Sequence, residues 1–275
     1  YKIQHISKEF DLLRFGSNYI VNVEIKNEST EEKIKNQLTR NKYYLQHINK
    51  VIHNYCFVAS SKVLYQLNSS CDIETVPLES LVQLLTSQNL IKLESPDVLF
   101  NPSDYLVSPF NSTTKFLAGQ YFLTGQQETI KNQITKNITS PSASVISLTG
   151  GAGTGKTLLI YDIVKSRMGA MKTVVVHCGQ LNDGHQRLIN SGWHIVSIRD
   201  FRNYDLINVD LVVVDETQRI YANQFDQLIV EAASKNTHCI FSYDRQQTLS
   251  RSEAHTNIEG KINSIVGACN YSLSD

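Results

Sequence analysis

The sequence predicts an α/β protein of two domains, of which the larger, residues 115–275, is a doubly wound domain with a parallel β-sheet. Short apolar runs rich in β-branched residues alternate with helical stretches there, which is typical of strands covered by helices on both faces. A segment rich in Pro, Ser and Asn, residues 96–114, precedes this region and predicts a linker. Residues 1–95 then form a smaller α/β or α+β domain.

Composition limits the classes of protein to which this chain can belong. The chain has 275 residues and is 41% hydrophobic, so it can bury a sizeable core. Its 26 basic and 26 acidic residues argue against a strongly basic protein that wraps nucleic acid. No apolar run approaches the roughly 18 residues of a membrane span, and no signal-peptide pattern opens the chain. The five cysteines lack a CxxC spacing, so we expect reduced thiols and a cytoplasmic protein without membrane association.

The first element is a β-hairpin in the stretch FDLLRFGSNYIVNVEIKN. Because side chains alternate between the faces of a strand, Glu24 and Lys26 share one face. A two-residue turn at Gly16–Ser17 would place Asp11 opposite Asn22 and diagonal to Glu24. Two carboxylates at that separation can hold Mg²⁺ or Mn²⁺, and Lys26 can orient a metal-bound water. The alternative is a solvated hairpin face without catalytic function.

A polar helix, STEEKIKNQLTRNKYYLQHI, follows the hairpin, and a strand near CFVAS comes next. Between Glu31 and Lys50, five Lys or Arg stand against two Glu, a local net charge of +3 that suits contact with phosphates. Gln37 and Tyr44 are seven residues apart and therefore lie on one helical face. The alternative is a solvated amphipathic helix.

The octapeptide GGAGTGKT, residues 150–157, fits the phosphate-loop pattern GxxxxGK[ST]. It follows the predicted strand SVISLT and opens the helical LLIYDIVKSRM, which is the context that the pattern requires. Glycines allow successive N–H groups to curl around a phosphate, and the start of the helix adds positive potential. Lys156 can reach the β- and γ-phosphates, and Thr157 can ligate Mg²⁺. The residues expected to contact the nucleotide are Gly151, Ala152, Gly153, Thr154, Gly155, Lys156 and Thr157.

Four further apolar runs complete the predicted sheet: TVVVHC, HIVSI, LVVV and CIFSY. The run LVVV ends in Asp215 and Glu216, at the carboxyl end of a strand, where α/β folds place ligands. Asp215 would hold Mg²⁺ and Glu216 would polarise the attacking water, whereas the alternative is an acidic strand end that caps the next helix. After CIFSY, Asp244 and Gln247 are placed to sense the γ-phosphate, although a turn and helix start would also explain them.

Thr124 and Gln127, within LTGQQ just before the strand SVISLT, have the spacing of a helix capping box. In the functional interpretation, Gln127 reads adenine. Both interpretations can hold together.

Gln127, GGAGTGKT, DETQ and SYDRQQ, in this order, resemble motifs of superfamily 1 helicases, and DRQQTLS is most similar to the Schlafen-type branch. The resemblance covers residues 115–275 and implies the first RecA-like lobe of an ATP- and Mg²⁺-dependent motor on single-stranded nucleic acid. It places Gln127 on adenine, makes Asp215 and Glu216 catalytic, and makes Gln247 a sensor. Such helicases carry arginines on a second lobe. The chain stops at Asp275, so we expect that lobe to be absent and hydrolysis by this segment to be poor.

The arrangement Asp11…Glu24-x-Lys26 resembles the PD-(D/E)xK nucleases, which implies catalytic roles for all three residues and a metal on Asp11 and Glu24. Some members carry Q-x-x-x-Y on the next helix, whereas Asn41 stands fourth after Gln37 here. The combination of domains resembles bacterial anti-phage nuclease–helicase immunity proteins. The expected partner is nucleic acid, with DNA favoured over RNA, although the sequence does not decide between the two. The alternative is an NTPase switch whose first domain binds nucleic acid without cutting it. The oligomeric state stays open.

Overall fold

The computed structural model describes residues 2–3, 8–93, 95–100, 105, 107–201, 204, 206–244, 257–265 and 267–274. The chain divides into two compact units, Tyr1–Leu106 and Val107–Asp275. The division falls inside the segment 96–114 that was expected to be a linker. Two side chains of that segment, Phe100 and Tyr105, are buried in the core of the first unit.

The first unit contains a mixed five-stranded sheet and a two-stranded ribbon. Its elements are β1 (Lys2–Ile3), β2 (Lys8–Glu9), β3 (Leu12–Phe15), β4 (Tyr19–Lys26), α1 (Glu31–Leu45), β5 (Val51–Val58), β6 (Val63–Leu67), β7 (Ile73–Val76) and α2 (Leu78–Ser87). The sheet order is β3-β4-β5-β6-β7, and β1 pairs with β2. Strands β4 and β5 run parallel, and α1 is the crossover between them, whereas the other neighbours are antiparallel.

Helices cover both faces of the sheet at its central strand, β5. Helix α1 starts at Thr30, whose side chain accepts a hydrogen bond from the Lys33 N–H, and acidic residues in its first turn suit the helix dipole. One face of the sheet packs against α1 in a cluster of Ile34, Leu38, Cys56, Val58 and Leu67. The other face packs against α2 in a cluster of Val21, Val23, Tyr55, Leu64 and Leu81. The face that carries Glu24 therefore lies beneath α1.

The described part of the second unit forms a six-stranded sheet in the order β10-β9-β11-β12-β8-β13. Every neighbouring pair is parallel, which confirms the predicted parallel α/β sheet. Its elements are α3 (Thr113–Leu117), α4 (Gly125–Ile138), β8 (Val145–Gly150), α5 (Lys156–Arg167), β9 (Thr173–His177), α6 (Asp183–Asn190), β10 (Ile195–Ser197), β11 (Leu211–Asp215), α7 (Ala222–Ser234), β12 (His238–Tyr243), α8 (Ile258–Asn263) and β13 (Cys269–Leu273).

Apolar side chains fill both faces of this sheet and form two separate core clusters. The chain's one tryptophan, Trp193, belongs to the first of them and stacks on Tyr161 with ring centroids 5.6 Å apart. Because Trp193 is 4% exposed, its fluorescence reports unfolding of the second unit. In the described part of the chain, no helix has the length and apolar character needed to cross a membrane.

Candidate nucleotide site and buried carboxylate site

The phosphate loop connects β8 to α5 at the carboxyl edge of the parallel sheet. Gly153 and Gly155 have φ of 85° and 81°, a left-handed conformation that glycine adopts without steric penalty. Backbone turns of this kind form concave groups of N–H donors that bind anions. The side chain of Gln127 braces the loop, because its Nε2 donates to the Thr154 carbonyl oxygen at 3.0 Å.

Lys156 is the first residue of α5, and its amine lies over the loop. Its Nζ donates to the carbonyl oxygens of Gly150 at 2.8 Å and Gly151 at 2.7 Å. The carboxylate Oδ2 of Asp244 lies 3.7 Å from the same nitrogen. A charged donor is therefore held at the phosphate loop by acceptors at the carboxyl ends of β8 and β12, which suits the recognition of phosphate oxygens.

Asp215 ends β11 and is 2% exposed. Its Oδ1 accepts a hydrogen bond from the Glu216 N–H at 3.0 Å. Its Oδ2 is buried and has no hydrogen-bond partner among the described residues. A buried carboxylate oxygen in that situation, together with the Thr157 hydroxyl at the start of α5, fits the oxygen ligands that Mg²⁺ prefers.

Glu216 adopts a left-handed conformation with φ of 58°, which is uncommon for a residue other than glycine. Gln218 connects it to Asp244, the residue after β12: Nε2 of Gln218 donates to Glu216 Oε2 at 2.9 Å, and Oε1 accepts from the Asp244 N–H at 3.3 Å. The structure thus joins DETQ to the start of DRQQ through Gln218, whose contacts with both have no signal in the sequence. Gln247 lies outside the described residues.

The capping box predicted for Thr124 and Gln127 is confirmed at the start of α4. Oε1 of Gln127 accepts from the Thr124 N–H at 2.9 Å, and its Nε2 donates to the phosphate loop. Both ends of the amide are therefore engaged within the protein. Recognition of adenine by Gln127 stays a prediction.

Helix α6 begins at a second capping box, between Asn182 and His185. The Nδ1 atom of His185 accepts from the Asn182 N–H at 3.1 Å, and its ring stacks on Phe110 at a centroid distance of 3.9 Å. Burial, and secondarily the neighbouring His177, lowers the pKa of His185 to about 4. His185 is therefore neutral at pH 7 in the folded protein.

Acid is expected to destabilise the second unit through His185. Its pKa of about 4 when folded lies below the ordinary value of 6.5, so the unfolded chain binds more protons between these values. The stability that neutral His185 contributes is fully present above pH 6.5 and is lost as the pH falls toward 4, at most about 3 kcal/mol. Urea unfolding followed by Trp193 fluorescence checks this. His185→Gln, which keeps a capping-box residue and cannot titrate, should flatten the pH dependence, and an unchanged dependence would contradict the assignment.

The hairpin of the first unit has a different register from the one predicted. Leu12 pairs with Val23, so the residue before it, Asp11, stands opposite Glu24 rather than Asn22. The prediction of a Gly16–Ser17 turn is wrong, because the Gly16 N–H donates to the Tyr19 carbonyl and the turn is centred one residue later. The register moves by two residues, which preserves the face of every side chain. The Oδ2 atom of Asp11 accepts from the Ile25 N–H at 2.8 Å.

Glu24 is 2% exposed, so the alternative of a solvated hairpin face does not hold at this residue. Its Oε1 accepts from Asn41 Nδ2 at 2.7 Å, and its Oε2 accepts from Gln37 Nε2 at 3.2 Å. The Nζ atom of Lys26 lies 3.7 Å from Glu24 Oε2. The structure therefore gathers Glu24, Lys26, Gln37 and Asn41. Asn41 stands where the nuclease pattern has Tyr. Its i+4 spacing from Gln37 places both side chains on one face of α1, which is the sequence signal that could have predicted their shared contact with Glu24.

The surroundings of Glu24 allow a metal but exclude thiolate chemistry. Burial, more than the nearby carboxylates of Glu24 and Asp11, raises the pKa of Cys56 to about 11 against the opposing effect of Lys26, so the thiol stays protonated at pH 7. Among the described residues, no group of three or more His, Cys, Asp or Glu side chains is arranged to hold a metal. Asp11 and Glu24 supply two carboxylates, and each carboxylate oxygen can accept two hydrogen bonds, so their oxygens retain capacity for a hard cation.

Asn41→Ala is expected to destabilise the first unit, because it leaves the buried Oε1 of Glu24 without its 2.7 Å donor. A hydrogen bond to a charged group contributes about 1.5–3 kcal/mol. Hydrogen exchange in α1 measures the loss. Asn36→Ala, on the exposed side of the same helix, is the matched control and should change stability by less than about 0.5 kcal/mol. Equal protection in the two variants would contradict the role given to Asn41.

Comparison with known proteins gives one family match. Residues 123–254 match the family described as AAA domain. A search of curated protein sequences found no match. Similar solved structures include a DNA replication initiation factor (16% identity, 58% of this chain, 50% of that chain, TM-score 0.40). AMPPCP-bound DnaA from Aquifex aeolicus (16%, 58%, 50%, 0.37) and the Pif1 helicase from Candida albicans (14%, 56%, 40%, 0.39) are two others.

This chain therefore covers half or less of the length of each of those three structures. The phosphate loop, the parallel sheet around it and the family match all indicate the same type of domain for the second unit. Val107–Asp275 contains a P-loop NTPase domain.

Proposed function

We propose that this protein binds ATP with Mg²⁺ in its second unit and uses ATP hydrolysis to act on single-stranded nucleic acid. The observation that carries the proposal is that Lys156, Asp215 and Asp244 all lie at the carboxyl edge of one parallel sheet, the edge that also carries the phosphate loop. Ligands of open α/β sheets bind at that edge. The order of the motifs along the chain supports a helicase-like motor, with DNA as the expected nucleic acid.

Each residue of the site has a separate role in the proposed phosphoryl transfer. Main-chain N–H groups of the loop and Lys156 bind the phosphates and stabilise charge on them. Thr157 and Asp215 would hold Mg²⁺, which neutralises charge on the phosphate oxygens when it is bound. Glu216 orients the attacking water. The contact of Gln218 with both Glu216 and Asp244 supports a role in transmitting loss of the γ-phosphate.

The rate of ATP hydrolysis with and without single-stranded DNA tests this proposal. We expect Mg²⁺-dependent hydrolysis that single-stranded DNA stimulates and that Glu216→Gln abolishes while ATP still binds. A rate that nucleic acid leaves unchanged would favour the alternative, an NTPase switch that gates a partner.

A metal-dependent nuclease is the second candidate function, and it concerns the first unit. The observation in its favour is the register that sets Asp11 opposite the buried Glu24, with Lys26 at 3.7 Å from Glu24. Asp11 and Glu24 would hold Mg²⁺ or Mn²⁺, which supplies an activated water for phosphodiester cleavage when bound. Asn41 and Gln37 fix the Glu24 carboxylate, and Lys26 orients the water. A role of the combined protein in anti-phage defence rests on the resemblance of its domain arrangement alone.

A further inference from the structure

Beside Asp215, the proposed Mg²⁺ ligand, the second unit buries a histidine, His177, that the proposed mechanism does not use. His177 is 7% exposed, and neither its Nδ1 nor Asp215 Oδ2 has a hydrogen-bond partner in the described part of the chain. A buried polar group without a partner is unfavourable by about 1–3 kcal/mol, so two of them facing each other require an explanation.

The fold brings these two groups together directly. His177 ends β9 and Asp215 ends β11, and the two residues are register partners in adjacent parallel strands. The distance between His177 Nδ1 and Asp215 Oδ2 is 3.6 Å. In the sheet order, β9 flanks β11 on one side while β12 and β8 lie on the other. His177 therefore approaches Asp215 from the side opposite to the phosphate loop.

The second ring nitrogen of His177, Nε2, lies beside Gly179. A Cβ atom added to Gly179 would lie 2.8 Å from His177 Nε2 and 3.2 Å from Arg219 Nη1, so the imidazole and the guanidinium flank Gly179 closely. A guanidinium only donates hydrogen bonds. With its proton on Nδ1, His177 would present a donor to Asp215 and an acceptor, Nε2, on the side of Gly179.

We propose that His177 is a positioning residue for the Mg²⁺ site of the second unit. Its Nδ1 lies 3.6 Å from Oδ2 of Asp215, so a small rotation of the ring lets an Nδ1–H donate to this oxygen, while the Glu216 N–H donates to Oδ1. Each oxygen keeps a further acceptor position for the hydrated cation. This inference rests on the proposed binding of ATP with Mg²⁺ and adds to it a residue that lies outside the recognised motifs.

The test compares the affinity for ATP in Mg²⁺ with the affinity in EDTA, both measured by calorimetry. His177→Val removes the donor, and we expect it to lower the Mg²⁺-dependent gain in affinity by about 10-fold, the smaller end of the effect of residues that orient metal ligands. The affinity in EDTA should not change. His177→Asn should restore the gain, because its amide nitrogen can occupy the place of Nδ1. The control is His238→Val, which changes an equally buried histidine at the opposite end of the sheet.

The outcomes separate this inference from the proposed function. If the wild-type protein binds no ATP, or binds it equally in Mg²⁺ and EDTA, the proposed function is wrong and the inference is wrong with it. Two results would show that only the role of His177 is wrong, provided that the wild-type protein binds ATP more tightly in Mg²⁺ than in EDTA. One is that His177→Val keeps this gain in affinity. The other is that His177→Asn loses the gain as fully as His177→Val does. Trp193 fluorescence reports folding. If His177→Val does not fold, Gly179→Ala takes its place in the same titrations, since its added Cβ would lie 2.8 Å from His177 Nε2 and must displace the imidazole. The same loss of the Mg²⁺-dependent gain is expected, and an unchanged gain would contradict the role of His177.

Discussion

Replacing Lys156 by methionine is expected to weaken ATP binding by at least about 10- to 100-fold, because hydrogen bonds to a charged group contribute about 1.5–3 kcal/mol. Methionine keeps the length of the aliphatic side chain but removes the amine that reaches the Gly150 and Gly151 carbonyls and Asp244. In the proposed ATP complex the same amine would face the β- and γ-phosphates. Calorimetric titration with ATP in Mg²⁺ measures the loss.

Two controls test whether the loss of ATP binding is specific to Lys156. Lys136→Met, an exposed lysine on α4, removes the same charge from the second unit and should leave the affinity for ATP unchanged. Urea unfolding followed by Trp193 fluorescence should show that Lys156→Met still folds. If Lys156→Met binds ATP as tightly as wild type, the loop is not the phosphate site.

Glu24→Gln is expected to abolish metal-dependent cleavage of nucleic acid by the first unit. The change removes one of two carboxylates from the candidate metal site while keeping the shape of a side chain that is held by Asn41 and Gln37. Loss of a ligand should exceed the roughly 10- to 100-fold effect of changing residues that only orient ligands. Cleavage of labelled DNA in Mn²⁺ or Mg²⁺ is the measurement.

The control for this prediction is Glu28→Gln, an exposed carboxylate two residues after β4 that should leave cleavage intact. Circular dichroism checks that Glu24→Gln retains its secondary structure. Cleavage by Glu24→Gln at the wild-type rate would exclude the Asp11–Glu24 site, and a wild-type protein that cuts nothing in either metal would exclude the nuclease proposal.

The fold of the second unit was predictable where the chain itself carries a strong signal. Strands β8, β9, β11 and β12 are almost entirely buried, so their sequences are continuous apolar runs. The edge strand β13 was not predicted, because its sequence CNYSL alternates partly buried with exposed side chains and has few apolar residues. Helix α2 and strands β6 and β7 of the first unit were also not predicted, and their apolar residues pack mainly through tertiary contacts.

The sites were predictable only as far as local patterns reach. The phosphate-loop context follows from sequence, since strand, loop and helix are contiguous. The register at Asp11 was wrong because Gly16, Ser17 and Asn18 are all acceptable turn residues, and tertiary packing selects among them. The burial of Glu24 depends on α1 returning over the sheet, which strand parity does not report. The contact between His177 and Asp215 joins residues of two strands and has no local signature at all.

The most direct test of the central claim, that ATP binding is coupled to action on nucleic acid, is the dissociation constant for single-stranded DNA with and without a non-hydrolysable ATP analogue and Mg²⁺. Coupling between two sites is reciprocal and typically changes affinity by about 5- to 150-fold. We predict a change of that size in the wild-type protein and none in Lys156→Met. A dissociation constant that the analogue leaves unchanged in the wild-type protein, or no binding of single-stranded DNA in either condition, would contradict the account.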